Sequence, residues 1–363
     1  MSKILELVEK NERYREEGIN LMASENFISP KVKEALSSDL AGRYLSDYYG
    51  GSRYARDIVA HTEDLFRKLF DVKHAIVEPL SGNICDLAVL FAFTREKENI
   101  AMLPYTAGGY PLGMEKFGRK RVSLPNQPDT FQIDVSRSEA LYEAQDIPLT
   151  ILGASYIPFP HPVREFRNIL DEHSEQGTLV YDGSHVLGLL ACGEFQSPLK
   201  EGAEVMIGST HKSFYGPQGG VILTDSDEHH SALREFMDVD TVSGIGLVDN
   251  PHVNRIAALG IAAEELLDDR GYGRRVIDNS KLLASRLHEL GVPIRFADKG
   301  YTESHQVFLD IPLEKAVLLC NALEQESIFI DTTGRMGTAE ITHRGMTDMD
   351  SIAHRIADCY RAL

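Results

Sequence analysis

The chain has 363 residues, 43% of them apolar and 25% charged, with a formal net charge of −18. This is an ordinary globular composition, with length enough for one large α/β domain and a smaller second one. The acidity argues against nucleic acid as a partner, since it repels a phosphate backbone instead of releasing its counterions. No apolar run is long enough to span a bilayer, and the start, Met1-Ser2-Lys3-Ile4-Leu5-Glu6, suits neither a signal nor a transit peptide, so no membrane partner and a cytoplasmic location are expected. Cys85, Cys192, Cys320 and Cys359 form no CxxC pair, which predicts buried thiols rather than a disulfide framework or a zinc site.

In chain order, a first helix is expected over residues 3–17 with Ser2 as its cap, followed by an extended arm at 19–27. Ser29-Pro30 reads as a cap with proline in the first helical turn; residues 46–56 read as a loop, with a helix opening at Asp57. Apolar strands are expected at 74–78, 100–103, 150–152, 179–181, 205–207 and 221–223, separated by helical stretches such as 83–93 and 163–173. That alternation implies a mostly parallel sheet between two layers of helices. Residues 254–290 read as long helices, and short strands near 294–296, 306–310 and 328–331 with two more helices make a smaller α+β unit. The expected divisions are an N-terminal helix and arm (1–28), a large α/β domain (29–245) and a small C-terminal α+β domain (246–363).

Ligand sites of open α/β sheets lie at the carboxyl ends of the strands. One such strand runs into Asp182-Gly183-Ser184-His185, and the next into Gly208-Ser209-Thr210-His211-Lys212. A lysine that attacks a carbonyl must be neutral, yet in water only about one in 2,500 is so at pH 7. Burial and a nearby cation both favour the neutral amine. An acid beneath a pyridine nitrogen keeps that nitrogen protonated, so that the ring accepts electrons from an amino acid's Cα. Asp182 and Lys212 fit this pairing, with pyridoxal 5′-phosphate held as an imine; the bland alternative is a helix-capping Asp and a solvated Lys. Pro79-Leu80-Ser81-Gly82-Asn83, just before a helix, offers amide groups and a hydroxyl to a phosphate, or an ordinary cap. The glycine turn at Gly108-Gly109 can lay Tyr110 on a planar ring, or Tyr110 is a packed core residue. There is no GxGxxG after a strand, no GxxxxGK[ST], no HExxH and no GxSxG, and His229-His230 reads as a solvated helix start rather than a metal site.

These residues resemble serine hydroxymethyltransferase, a family of fold type I pyridoxal phosphate enzymes. Leu21-Met22-Ala23-Ser24-Glu25-Asn26-Phe27, Tyr48-Tyr49-Gly50-Gly51, Ser81-Gly82, Gly108-Gly109, Asp182-Gly183-Ser184-His185, Ser209-Thr210-His211-Lys212, Gly216-Pro217-Gln218-Gly219-Gly220, Gly334-Arg335-Met336-Gly337-Thr338 and Thr342-His343-Arg344-Gly345 follow in family order. The resemblance implies Lys212 as the imine lysine, Asp182 under the ring nitrogen and His185 beside the phenolic oxygen. It places Ser81 and Gly82 at the phosphate, and Tyr110, Ser155, Ser209 and His211 around the cofactor. Ser24, Tyr49 and Arg344 line the substrate pocket, with Arg344 on the amino acid's carboxylate and Tyr49 from the second subunit of a homodimer.

The implied reaction is serine/glycine interconversion by retro-aldol cleavage, with one-carbon transfer to tetrahydrofolate or a modified pterin. The sequence departs from the family at several points. The acid/base glutamate before Tyr-Tyr-Gly-Gly is missing from Tyr44-Leu45-Ser46-Asp47, leaving Asp47 as the nearest substitute. Tyr110 stands where the family has a histidine, Gln218 where it has an arginine, and the pterin-gripping loop is reduced to Asp331-Thr332-Thr333. A folate-independent aldolase acting on threonine or another β-hydroxy amino acid is the second reading, and a non-catalytic cofactor-binding relative the third.

Overall fold

The computed structural model describes residues 2–45, 50–127, 130–174, 176–237, 239–240 and 244–363. In chain order the elements are α1 (Lys3–Glu16), β1 (Ile19–Asn20), α2 (Pro30–Leu36), α3 (Arg53–Phe70), β2 (His74–Ile76), α4 (Gly82–Phe93), β3 (Asn99–Met102), β4 (Lys120–Ser123), α5 (Val135–Ala144), β5 (Leu149–Leu152), α6 (Val163–His173), β6 (Thr178–Asp182), α7 (Leu187–Ala191), α8 (Pro198–Glu201), β7 (Val205–Ser209), β8 (Gly220–Thr224) and α9 (Asp227–Arg234). They continue with β9 (Val239–Asp240), β10 (Gly244–Ile245), α10 (Val253–Asp268), α11 (Tyr272–Glu289), β11 (Gln306–Phe308), α12 (Leu313–Gln325), β12 (Ile328–Phe329), β13 (Arg335–Gly337), α13 (Ala339–His343) and α14 (Met349–Arg361). Two compact units result, one of residues 28–273 and one joining residues 1–27 to 274–363.

The larger unit is built on a seven-stranded sheet of order β2-β8-β7-β6-β5-β3-β4. Strands β4, β3, β5, β6 and β7 pair in parallel, whereas β8 is antiparallel to both β7 and β2. The carboxyl ends of β2 to β7 therefore share one edge, from which β8 starts back. All residues of β5, β6, β7 and β8 are buried, as helices on both faces require. The expected six strands are all present. The seventh, β4, had escaped notice because Lys-Arg-Val-Ser at an exposed sheet edge buries only Val122 and shows no apolar run.

Helix α3 opens at Arg53, before the expected Asp57, because its buried stripe of Ala55, Val59, Thr62, Phe66 and Leu69 already needs that turn. Thr62 Oγ1 donates to the carbonyl of Ile256 on α10 at 3.3 Å, and Gly260 leaves no room for a Cβ beside it. This packing of α10 against α2 and α3 places residues 246–273 in the larger unit, past the expected division at 245.

In the smaller unit α1 spans the expected helix, although the Ser2 side chain makes no cap bond. The arm that follows is a strand: β1 pairs in parallel with β12, Leu21 N donates to Phe329 O (2.8 Å), and Gly337 N donates to Leu21 O (2.8 Å). Leu21 joins Leu283, Val307, Leu319, Ile328, Met336 and Ile352 in one apolar core, so the segment expected to stand apart is part of this unit. The strand expected at 294–296 is only an isolated bridge, Ile294 to Leu309.

Candidate active site

Asp182 ends β6 and is 8% exposed. Its Oδ1 accepts the amide of Ser184 at 2.9 Å, and no hydrogen bond from the described residues engages Oδ2. Ser184 Oγ in turn accepts the amide of Ser209, the last residue of β7, at 2.9 Å. Lys212 Nζ donates to Ser209 Oγ, which brings the amine to the same two strand ends. The lysine loop is closed on itself by Thr210 N to Gly219 O (3.1 Å), Gly216 N to Thr210 O (2.8 Å) and Thr210 Oγ1 to Pro217 O (2.7 Å). Such a loop holds the amine on rigid support.

The amino end of α4 arrives at this place. Ser81 is its cap, accepting the amide of Ile84 at 3.3 Å, so the amides of Gly82 and Asn83 are left for an outside acceptor. A Cβ on Gly82 would come within 3.0 Å of Ser209 Cβ and 3.3 Å of Ser184 Oγ. The glycine pair that opens β8 has a matching reason. Gly220 N donates to Pro79 O (2.9 Å), and a Cβ on Gly220 would lie 2.5 Å from Ser81 O and 2.4 Å from Cys85 Sγ. A Cβ on Gly219 would meet Arg255 Nη1 at 2.5 Å, where that buried guanidinium donates to the carbonyls of Val77, Glu78 and Pro251. Two missing side chains thus let β8 lie against the start of α4.

The groups around Lys212 act on one another electrostatically. Burial, then the charge of Lys212, push the imidazole of His211 down to about 4, so it is neutral near pH 7; its buried Nδ1 has no hydrogen-bond partner among the described residues. Tyr110 is half-buried, with its hydroxyl 3.3 Å from Asn83 Oδ1, and burial followed by Asp86 and Asp182 raises its pKa. His185 is buried in the turn after Asp182, and Ser155 follows the end of β5, where Gly153 (φ +94°) passes so close to Asp182 O that a Cβ would be 2.0 Å away. Gln218 is exposed. Tyr49 and Asp47 lie outside the described residues.

Ser24 and Arg344 belong to the smaller unit. Arg344 directly follows α13, where its Nη1 donates to Gly18 O at 3.0 Å and faces Glu340 Oε1 at 3.5 Å, while Nη2 donates to Glu16 O at 2.5 Å. These bonds tie it to the start of the arm. A second arginine, Arg335 on β13, was passed over in the sequence because a three-residue strand has no legible period. It is 8% exposed, and its Nε donates to Asp331 Oδ2 at 2.8 Å. Arg335 and Gly337 share one face of β13, and a Cβ on Gly337 would collide with Ala23, next to Ser24. Asp86 was missed as well, although an acid within the apolar run of α4 was a visible signal.

A profile described as serine hydroxymethyltransferase matches residues 2–358. The serine hydroxymethyltransferase of Methanothermobacter thermautotrophicus is 36% identical over 98% of this chain and 88% of its own length. That of Methanobrevibacter smithii is 35% identical over 96% and 88%, and that of Pyrococcus furiosus 34% over 98% and 89%. Among solved structures, L-threonine transaldolase from Pseudomonas fluorescens, in its internal aldimine state, superposes with a TM-score of 0.88 at 27% identity, covering 99% of this chain and 87% of that one. The architecture is that of fold type I pyridoxal phosphate enzymes, and the chain belongs to the serine hydroxymethyltransferase family.

Proposed function

We propose that this protein uses pyridoxal phosphate to interconvert serine and glycine by retro-aldol cleavage, as a serine hydroxymethyltransferase. The observation that carries the reading is the meeting of Lys212, Asp182 and the start of α4 at one sheet edge. These residues suit a planar phosphorylated aldehyde: an amine, an open carboxylate oxygen and a helix start with unused amides. Ser81 and Gly82 bind the phosphate, Asp182 holds the ring nitrogen, His185 lies at the phenolic oxygen, and Tyr110, Ser155, Ser209 and His211 complete the setting. When bound, the cofactor supplies an electron sink for the pair left on Cα as the carbon bond breaks. Lys212 Nζ carries the proton at Cα, oriented by Ser209 Oγ.

The protein works as a homodimer in the cytoplasm, with Tyr49 supplied by the second subunit and Asp47 in place of the family's glutamate. In support of the dimer, α1 has no buried residue, and Ile4, Leu5, Leu7 and Val8 are exposed on it. In support of the location, all four cysteines are free thiols, as in a reducing compartment. Among the described residues no helix is long and apolar enough to cross a membrane.

The folate-independent aldolase reading is favoured by one feature. Asp331 Oδ1 accepts the amides of Thr333 (3.0 Å) and Arg335 (3.1 Å), so Asp331-Thr332-Thr333 is a tight turn satisfied within itself. It has no length left with which to enclose a pterin. Purified protein given serine, glycine or allo-threonine, with and without tetrahydrofolate, separates the readings. Formation of glycine from serine that requires the pterin is the expected result, whereas pterin-independent release of acetaldehyde from allo-threonine alone supports the aldolase.

The substrate carboxylate is proposed to be held from the signature that carries Arg335 and Arg344, with Arg335 put forward as the clamp because Arg344 bonds the carbonyls of Gly18 and Glu16. Arg335→Ala is expected to weaken amino-acid binding by about 2–5 kcal/mol. Arg344→Ala is expected instead to cost about 1–3 kcal/mol of stability by stranding two carbonyls and Glu340. Substrate titration and thermal unfolding of the two variants check this, and the reverse pattern returns the clamp to Arg344.

A further inference from the structure

One carboxyl at the edge described above has no task yet. Asp86 lies on α4 four residues after Gly82, hence one turn along the same face. The residue is 4% exposed, and no hydrogen bond or ion pair from the described residues reaches its carboxyl. Its neighbours Cys85, Ala88 and Val89 pack into the apolar core. The groups that bear on it are Asp182 at the end of β6, Lys212 in the loop after β7, Tyr110 in the loop after β3 and Cys85 on its own helix. Apart from Cys85, these are the groups assigned to the cofactor.

Burial, followed by the negative charge of Asp182, pushes the Asp86 carboxyl well above the usual carboxylate range, with Lys212 opposing. An ionised carboxylate with no partner is strongly disfavoured in such a place, whereas the neutral acid carries a hydrogen it can donate.

We propose that Asp86 is a positioning residue of the cofactor pocket, a carboxylic acid that retains its hydrogen and donates it to the bound heterocycle, leaving the negative charge to Asp182. The proposal rests on the pyridoxal phosphate reading. It gives the two acids different tasks, one balancing the ring's positive charge and the other orienting the ring without adding charge.

The test measures cofactor affinity of the full-length protein from pH 7 to 10, by absorbance titration with pyridoxal phosphate. Asp86→Asn keeps a donor of the same shape and is expected to bind within about threefold of wild type at pH 7, whereas Asp86→Leu is expected to be about tenfold weaker. As pH rises, wild type should lose about tenfold in affinity relative to Asp86→Asn, because ionisation removes the donor and adds a charge beside Asp182 and the phosphate. A hundredfold loss in Asp86→Asn at pH 7, parallel pH profiles, or full affinity in Asp86→Leu each overturns the proposal. Infrared difference spectra of wild type provide a check that needs no variant: a protonated carboxyl band should shift on cofactor binding, and an unmoved band counts against the assignment. Complete absence of a bound-cofactor band in wild type overturns the parent reading together with this one. A normal band with parallel profiles overturns this one alone.

Discussion

Replacing Lys212 by alanine is expected to abolish the borohydride-reducible bond between chain and cofactor and to lower turnover by about a thousandfold or more. The amine can form an imine with an aldehyde carbon, and its hydrogen bond to Ser209 Oγ places it where β6 and β7 end. The fold should survive the change. The loop is closed by Thr210, Gly216 and Gly219, and Tyr272 Oη donates to Ser213 O at 2.9 Å, all without the lysine side chain. The checks are mass spectrometry after reduction and circular dichroism of the variant. Retained trapping on an intact fold means that another lysine is used.

Asp182→Asn is expected to be the second large loss, about a hundred- to a thousandfold in kcat, with cofactor still attached. The asparagine keeps the size of the side chain and can still accept the Ser184 amide. What it removes is the charge proposed to lie opposite the ring nitrogen. A shifted cofactor absorption band together with lost turnover is the expected signature, and unchanged kcat removes Asp182 from that position. Set beside Asp86→Asn, which should leave binding near wild type at pH 7, the pair separates a carboxylate from a carboxylic acid by the same substitution.

Much of this was legible in the sequence. The inner strands β3, β5, β6, β7 and β8 are apolar runs because helices cover both their faces, so they announce themselves together with the edge strand β2, and the polar residues just beyond mark the candidate site. The failures have physical causes. At β4 a solvent-exposed edge erases the apolar signal, and at Ile294 the run pairs for a single residue only. The division between units was obscured because α10 resembles the helices that follow it, and only its partners, α2 and α3, reveal where it belongs. Arg335 and Arg344 stand in one signature with equal chemistry. What distinguishes Arg344 is its pair of bonds to the carbonyls of Gly18 and Glu16, which lie far away in the chain. Asp86 was recognisable as an acid in an apolar helix, but its nearness to Asp182 and Lys212 required the fold.

The parallel pairing of β1 with β12 has a consequence for biosynthesis. The first strand leaves the ribosome long before its partner is translated, and Gly18, fitted against the ring of Phe329, has nothing to fit against until then. The α/β unit of residues 28–273 can acquire its sheet while the nascent chain is still growing, whereas the other unit cannot close until both ends are available. A ribosome stalled late in the message therefore displays a finished sheet and an unpaired amino-terminal segment with Leu21 uncovered, a form suited to capture by chaperones.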